Sequence, residues 1–245
     1  MKGTFLVFLL LLTCQIKLFS QDKADSPTPQ KVLPGNIQIG LSFSPNVSYR
    51  WLRQEGGNDY TKSEMENRNQ HETPVFGFTT GVNGIYSFSP KSGIQFGIHV
   101  SKCGYRSRWH EGLWYSDDGE VVKIQIKDRM EYYFLELPMS YQFCPGSGDL
   151  RFLMRGGIIT HFLLTGKQDV TTIFGRSTTE SSFPIGGGSP FFSAFISTGV
   201  DWKLGPHLNF RAEPIIRYGL TSRDDFEIRS HLWSAGLDCS VFYRF

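Results

Sequence analysis

From Ile37 to the last residue, apolar side chains alternate with small or polar ones at a period of two. Neighbouring side chains of a strand point to opposite faces, while a helix repeats every ~3.6 residues, so this period calls for strands with two unlike faces. The last segment is the clearest case. Trp233, Ala235, Leu237, Cys239, Val241, Tyr243 and Phe245 fall on one face, and Ser234, Gly236, Asp238, Ser240 and Arg244 on the other, with Phe242 out of step. The segment before it sets Leu208, Phe210, Ala212, Pro214, Ile216 and Tyr218 against Asn209, Arg211, Glu213, Arg217 and Gly219, with Ile215 out of step.

Eight such segments can be read, at about 37–51, 75–88, 94–106, 129–143, 150–164, 190–203, 207–220 and 231–245. Each is long enough for a tilted strand to cross a bilayer, which takes about 9–11 residues. An even number of antiparallel strands can close on itself. The connections alternate in length. Pro90-Lys91-Ser92-Gly93, Pro145-Gly146-Ser147-Gly148-Asp149 and Leu204-Gly205-Pro206 read as tight turns, whereas 52–74, 107–128, 165–189 and 221–230 read as long polar loops. Short turns at one end and long loops at the other are the layout of an outer-membrane barrel, with its loops outside the cell. The expected fold is therefore all-β, an eight-stranded antiparallel up-and-down transmembrane β-barrel over residues 37–245.

Alternation alone fits both a membrane barrel, apolar side outward, and a lipocalin-like barrel, apolar side inward. The polar face separates them. In the first three segments it reads Gln38, Gly40, Ser42, Ser44, Asn46, then Gly77, Thr79, Gly81, Asn83, then Gln95, Gly97, His99, Ser101, with no Lys or Glu. A solvated strand face would carry long charged side chains, while a narrow lumen has room mainly for small polar ones. Later segments put Arg151, Arg155, Arg211, Arg217 and Arg244 on this face with Glu136, Asp201, Glu213 and Asp238. Confined charges need partners, so these nine residues are expected to form an ion-pair network that fills the lumen. On the apolar face, Trp51, Tyr86, Phe88, Tyr141, Phe143, Trp202, Tyr218, Trp233, Tyr243 and Phe245 lie near segment ends, as interfacial girdles do. Pro45, Pro138 and Pro214 interrupt segments, so bulges or shifted register are expected there. Lys102 and Glu131 fall on the lipid side near the long-loop rim, where charge costs little.

The start of the chain is of another kind. Phe5 to Leu12 is apolar with Lys2 before it, and Leu18-Phe19-Ser20 precedes Gln21. That run is too short to span a bilayer as a helix, which takes about 20 apolar residues. Residues 1–20 read as a secretory signal and 21–36, with three prolines and no period, as an extended periplasmic leader. Thr13 before Cys14 argues against an acylated lipoprotein start.

Composition narrows the functions. The 245 residues carry 25 Lys and Arg against 23 Asp and Glu, and loss of Lys2 and Lys17 with the signal leaves 23 against 23. A neutral mature chain offers nucleic acid no general electrostatic attraction. Mean hydropathy of -0.24 rules out a bundle of membrane helices. Cys103, Cys144 and Cys239 are odd in number with no CxxC spacing, so neither a disulfide framework nor a zinc site is implied.

No catalytic, cofactor or metal site is expected. His99 and His161 share the polar face, where a histidine is usually a packed hydrogen-bond partner. A lipid-modifying enzyme would want Ser and His together on the lipid face or the rim, and no such pair is found. The acidic runs at Asp117, Asp118, Glu120 and at Asp224, Asp225, Glu227 read as hydrated turns. Gly186-Gly187-Gly188 lacks the lysine and helix of a phosphate loop.

The segment Tyr133-Phe134-Leu135-Glu136-Leu137-Pro138, the glycine-rich stretch from Gly81 to Gly104 and the ending Tyr243-Arg244-Phe245 together resemble the PorT-like outer-membrane β-barrel family of Bacteroidota. Asp238, Tyr243 and Phe245 resemble the signal read by the barrel-assembly machinery, with Ser240 where that signal usually has Gly. The resemblance implies a bacterial outer-membrane location, lipid and the assembly machinery as partners, and a structural or secretion-associated, type IX-like role. Its protein contacts would be made by the extracellular loops or the periplasmic leader. The alternative is a passive small-solute conduit or ligand-binding barrel.

Overall fold

The computed structural model describes residues 36–54, 59–115, 121–173, 175–182, 189–222 and 228–245. The expected signal and nearly all of the leader lie outside the described residues. The elements run β1 (Asn36–Gln54), α1 (Asp59–His71), β2 (Glu72–Ser87), β3 (Ser92–Ser107), β4 (His110–Tyr115), β5 (Val121–Phe143), β6 (Leu150–Thr172), β7 (Gly175–Ser182), β8 (Phe191–Lys203), β9 (Leu208–Gly219) and β10 (Ile228–Arg244). Strands β1, β2, β3, β5, β6, β8, β9 and β10 pair antiparallel in chain order, and β1 against β10 closes the ring. The architecture is the eight-stranded up-and-down barrel that the alternation requires. The turn between β5 and β6 holds Gly146 and Gly148 at φ of 104° and 111°, a left-handed conformation that favours glycine.

Two of the expected long loops are largely strand. β5 begins at Val121 rather than 129 and β6 ends at Thr172 rather than 164, each being 23 residues long. The two extensions pair with each other from Tyr133↔Thr165 to Ile126↔Thr172, and β4 and β7 are added outside the ring as hairpin partners. Val121, Val122, Ile124, Val170 and Thr171 are β-branched and suit a pleated arm. In 121–127 the period of two persists, but Val122, Ile124 and Ile126 lie inward and Lys123, Gln125 and Lys127 outward, opposite to the barrel below, so the segment does not continue the pattern of 129–143. The connection at 52–74 contains α1, whose sequence DYTKSEMENRNQH has no apolar stripe and so no helical period to read. Glu64 and Arg68, 2.7 Å apart, support it one turn apart.

Prolines act more locally than expected. Pairing with one neighbour lapses for two residues beside Pro45, Pro138 and Pro214, then resumes in the same register. The other neighbour stays paired at each, as in Pro45↔Phe78, Pro138↔Ile159 and Leu237↔Pro214. Each proline turns its missing N–H toward one strand only, so one ladder bond is lost and no residue is inserted. The register shifts fall elsewhere, between Pro74 and Phe78 and at Tyr133/Phe134.

Burial is inverted relative to a water-soluble barrel. Arg211 is 1% exposed and Asp201 and Glu213 0%, while Phe76 is 83% exposed, Leu41 67% and Ile98 62%. A closed ring leaves no unpaired ladder edge, which satisfies its backbone in lipid. The two out-of-step residues are buried inside. Phe242 lies under the Arg211 guanidinium, 4.7 Å from its carbon to the ring centre, and Ile215 packs with Ile159 and Phe195. Gly40, directly opposite Phe242 in the ladder, has no Cβ because one would stand 2.5 Å from that ring.

Candidate functional site

The lumen is crossed by three charged clusters at different heights. Nearest the short turns, Asp201 of β8 pairs with Arg151 of β6 and lies 3.2 Å from Nε of Arg211 on β9, which also donates to Oε1 of Gln142 at 2.8 Å. Higher up, Arg155 of β6 reaches Oε2 of Glu213 at 3.2 Å and Oδ2 of Asp238, on β10, at 2.7 Å. Ser197 donates to the same Glu213 oxygen at 2.6 Å. Higher still, Glu136 of β5 accepts from the Ser101 hydroxyl and stands 3.3 Å from Nδ1 of His161. Between them Asn83 ties the walls together, donating to Ser42 at 2.9 Å and accepting from Gln95 at 3.0 Å, with Nε2 of His99 at 2.9 Å.

The nine charges expected to form one network are thus divided. Glu136 is held by a serine and a histidine instead of an arginine, Arg217 donates to Thr79 at 2.9 Å, and Arg244 stands 3.2 Å from the Asn209 amide. Among the described residues, neither Arg217 nor Arg244 makes an ion pair. The physical reason is stagger: tilted strands place inward residues of neighbouring strands at different heights, so an arginine pairs with an acid only where one stands at its own level.

Above Glu136 the lumen becomes apolar, contrary to the expectation of a wholly polar interior. Tyr132, Phe134 and Phe191 are buried there, with Cys103, Tyr105, Met130, Leu163 and Leu232 against them. The His161 ring stacks on Phe191 at 4.3 Å, so that face of the imidazole meets an aromatic ring. Cys103, Cys144 and Cys239 are free thiols. The cavities left beside the lumen clusters measure about 30 and 20 Å3, room for single waters.

At the mouth, Arg50 donates from Nε to Oε2 of Glu72 at 2.8 Å while its guanidinium lies 3.7 Å over the Tyr105 ring. Sequence reading had not paired these two, because Glu72 fell in an expected loop. Between this pair and α1 is a cavity of about 250 Å3 lined by His71, His110, Asp128 and Arg129 among others. Burial pushes the Asp128 carboxyl above its usual range, against the pull of His110 at 3.9 Å. No three His, Cys, Asp or Glu side chains among the described residues come close enough to hold a metal ion. The acidic runs 117–120 and 224–227 and the glycines at 186–188 lie outside the described residues.

On the exterior, Tyr243 and Phe245 are 49% and 72% exposed with rings 5.2 Å apart, whereas Asp238 is turned inward onto Arg155. Lys102 and Glu131 face outward as expected and pair at 2.9 Å. Together with the belt of Ile, Leu, Val and Phe below them, this is the surface of a barrel that spans a lipid bilayer.

No family model and no curated protein matches the chain. Solved structures similar to it include the attachment invasion locus protein Ail of Yersinia pestis, with 13% identity over 87% of this chain and 100% of that one, at a TM-score of 0.36. The outer membrane protein OprG from Pseudomonas aeruginosa is 13% identical over 89% and 99% at a TM-score of 0.46. The outer membrane protease OmpT from Escherichia coli is 10% identical over 91% and 99% at 0.40.

Proposed function

We propose that the chain is a non-enzymatic protein of the bacterial outer membrane that works through its outer rim, as a structural or secretion-associated component. The observation that carries this reading is the filled lumen: arginines and acids buried to a few per cent, cavities of about 30 and 20 Å3, and an aromatic plug above them leave no path for a solute. What remains accessible is the rim, where α1 and the β4–β5 and β6–β7 hairpins stand. Residues 1–20 act as export signal and 21–36 as periplasmic leader, and Asp238, Tyr243 and Phe245 present the terminal strand to the barrel-assembly machinery. The strand Tyr133 to Pro138 and the ending Tyr243-Arg244-Phe245, similar to those of PorT-like barrels, support the secretion-associated form of this reading.

The test has two parts. Purified barrel in planar bilayers is expected to give no steady single-channel openings, and steady openings would overturn the filled-lumen reading. A variant with the β4–β5 hairpin shortened should still fold and shift on heated gels, yet fail to support export of secreted cargo. Unchanged export would remove the secretion role. The mouth cavity of about 250 Å3 favours a second reading, a binder of one small polar solute, which equilibrium binding to the Arg50→Ala variant would separate from the first.

A further inference from the structure

The exterior changes character at one level across three adjacent strands. Val100 of β3, Leu135 of β5 and Phe162 of β6 stand side by side in the ladders and end the apolar belt, below which come Ile98, Leu137 and Thr160. The next outward positions are Lys102, Tyr133 and Thr165; then Glu131 beside Lys167; then Arg106, Arg129 and Asp169 in one row; then Lys127 and Thr171 beside Arg176. Six cations, Lys102, Arg106, Lys127, Arg129, Lys167 and Arg176, thus meet two acids on this face, and β7 adds Glu180 opposite Lys167 in the ladder.

Some of that charge is neutralised within the wall. Glu131 takes both Lys102 and Arg129, and Asp169 takes Arg176. The rest is not. Arg106 stands directly opposite Arg129, both exposed, and Arg129 shares the single charge of Glu131 with Lys102, so the like-charge pair is stabilised by a further anion. Among the described residues, Arg106 donates to one side chain, the Thr73 hydroxyl, at a long 3.3 Å.

We infer that this cationic face seats the phosphate groups of a phosphorylated glycolipid in the outer leaflet of the membrane. The inference rests on the outer-membrane reading with the long connections outside. A lipid fits better than a soluble anion because the cations begin one step above the last lipid-facing side chains, at the depth of headgroups. A glycolipid whose chains end along Val100, Leu135 and Phe162 would pass its sugars over Lys102 and Lys167 and set headgroup phosphate beside Arg106 and Arg129, three outward positions higher. A basic residue at an anionic membrane surface gains about fivefold in affinity.

The experiment uses the full barrel reconstituted in phosphatidylcholine nanodiscs with either bis-phosphorylated or dephosphorylated lipid A, retained lipid being counted by native mass spectrometry. The unaltered barrel should prefer the phosphorylated form by about tenfold or more. The Arg106→Gln/Lys127→Gln/Arg129→Gln variant should lose that preference, and the Arg53→Gln/Arg229→Gln variant on the opposite wall should keep it. Lys127→Gln alone, far from the lumen, serves if the triple variant does not show the heat-dependent gel shift of a folded barrel. Equal retention of both lipids, preference that survives the substitutions, equal loss in the opposite-wall variant, or full competition by inorganic phosphate would each overturn the inference. A barrel that enters no bilayer overturns the membrane reading with it.

Discussion

Across β8, β9, β10 and β1 the exterior ends at the long-loop rim in Phe192, Tyr218, Trp233, Tyr49 and Trp51, with Arg53 and Arg229 opposite each other beyond them. Across β3, β5 and β6 it ends in Lys102, Glu131, Lys167 and the charged rows above. Aromatic rings with one apolar body and one polar edge suit a wall that stops near the interface. Strands that run on past it, as β5 and β6 do, need a water-facing exterior, and charge supplies one. A single closed ring therefore meets the headgroup layer with two chemistries, and the lumen joins the two walls: Arg155 of the charged wall is bound to Glu213 and Asp238 of the aromatic one.

Cutting that join should have the largest effect. Arg155→Ala leaves two buried carboxylates without their cation and is expected to cost about 3–5 kcal/mol, read from urea unfolding in lipid vesicles. Placing charge below the boundary comes next. Ile98→Arg, at a position 62% exposed within the belt, should cost about 2–4 kcal/mol, whereas Val100→Lys at its edge should cost about 0–1 kcal/mol, and equal costs would mean that the belt does not end where the ladders place it. On the aromatic wall, Trp233→Ala removes an edge-to-face pair with Tyr49 at 6.3 Å, a loss of about 1 kcal/mol beyond the lost area. The smallest effect is expected for Lys102→Met on the charged wall, under about 1 kcal/mol, because the buried Glu131 keeps the half-exposed Arg129 as its cation. A Lys102→Met cost above that of Trp233→Ala would reverse the contrast between the walls.

The two faces of residues 231–245 were legible at once, and so was the pairing of long connections with one end of the barrel. Residues 121–128 and 165–172 were not: in the first the apolar set Val122, Ile124 and Ile126 moves to the inner face, which breaks the pattern of 129–143, and in the second both faces are mainly polar and show no contrast. Helix α1 escaped for the same cause: a helix polar all round has no stripe. In the lumen, the inward position of Glu136 followed from alternation, but its Ser101 and His161 partners did not, because an acid on one strand can be met by any inward residue at its height. Arg50 and Glu72 were missed, one lying beyond the run of small polar residues and the other in what read as loop.

Alternation with a two-residue period decided which side chains share a face, and eight segments long enough to cross a bilayer decided that the ring could close. Those are local properties, written between neighbours in the chain. The choice of ion partners and the rows of cations beside β7 were decided only by the closed sheet, whose stagger brings together residues as distant as Arg155 and Asp238, 83 positions apart. Height along the barrel axis depends on tilt and register over every strand between two such residues, and no stretch of sequence carries that sum.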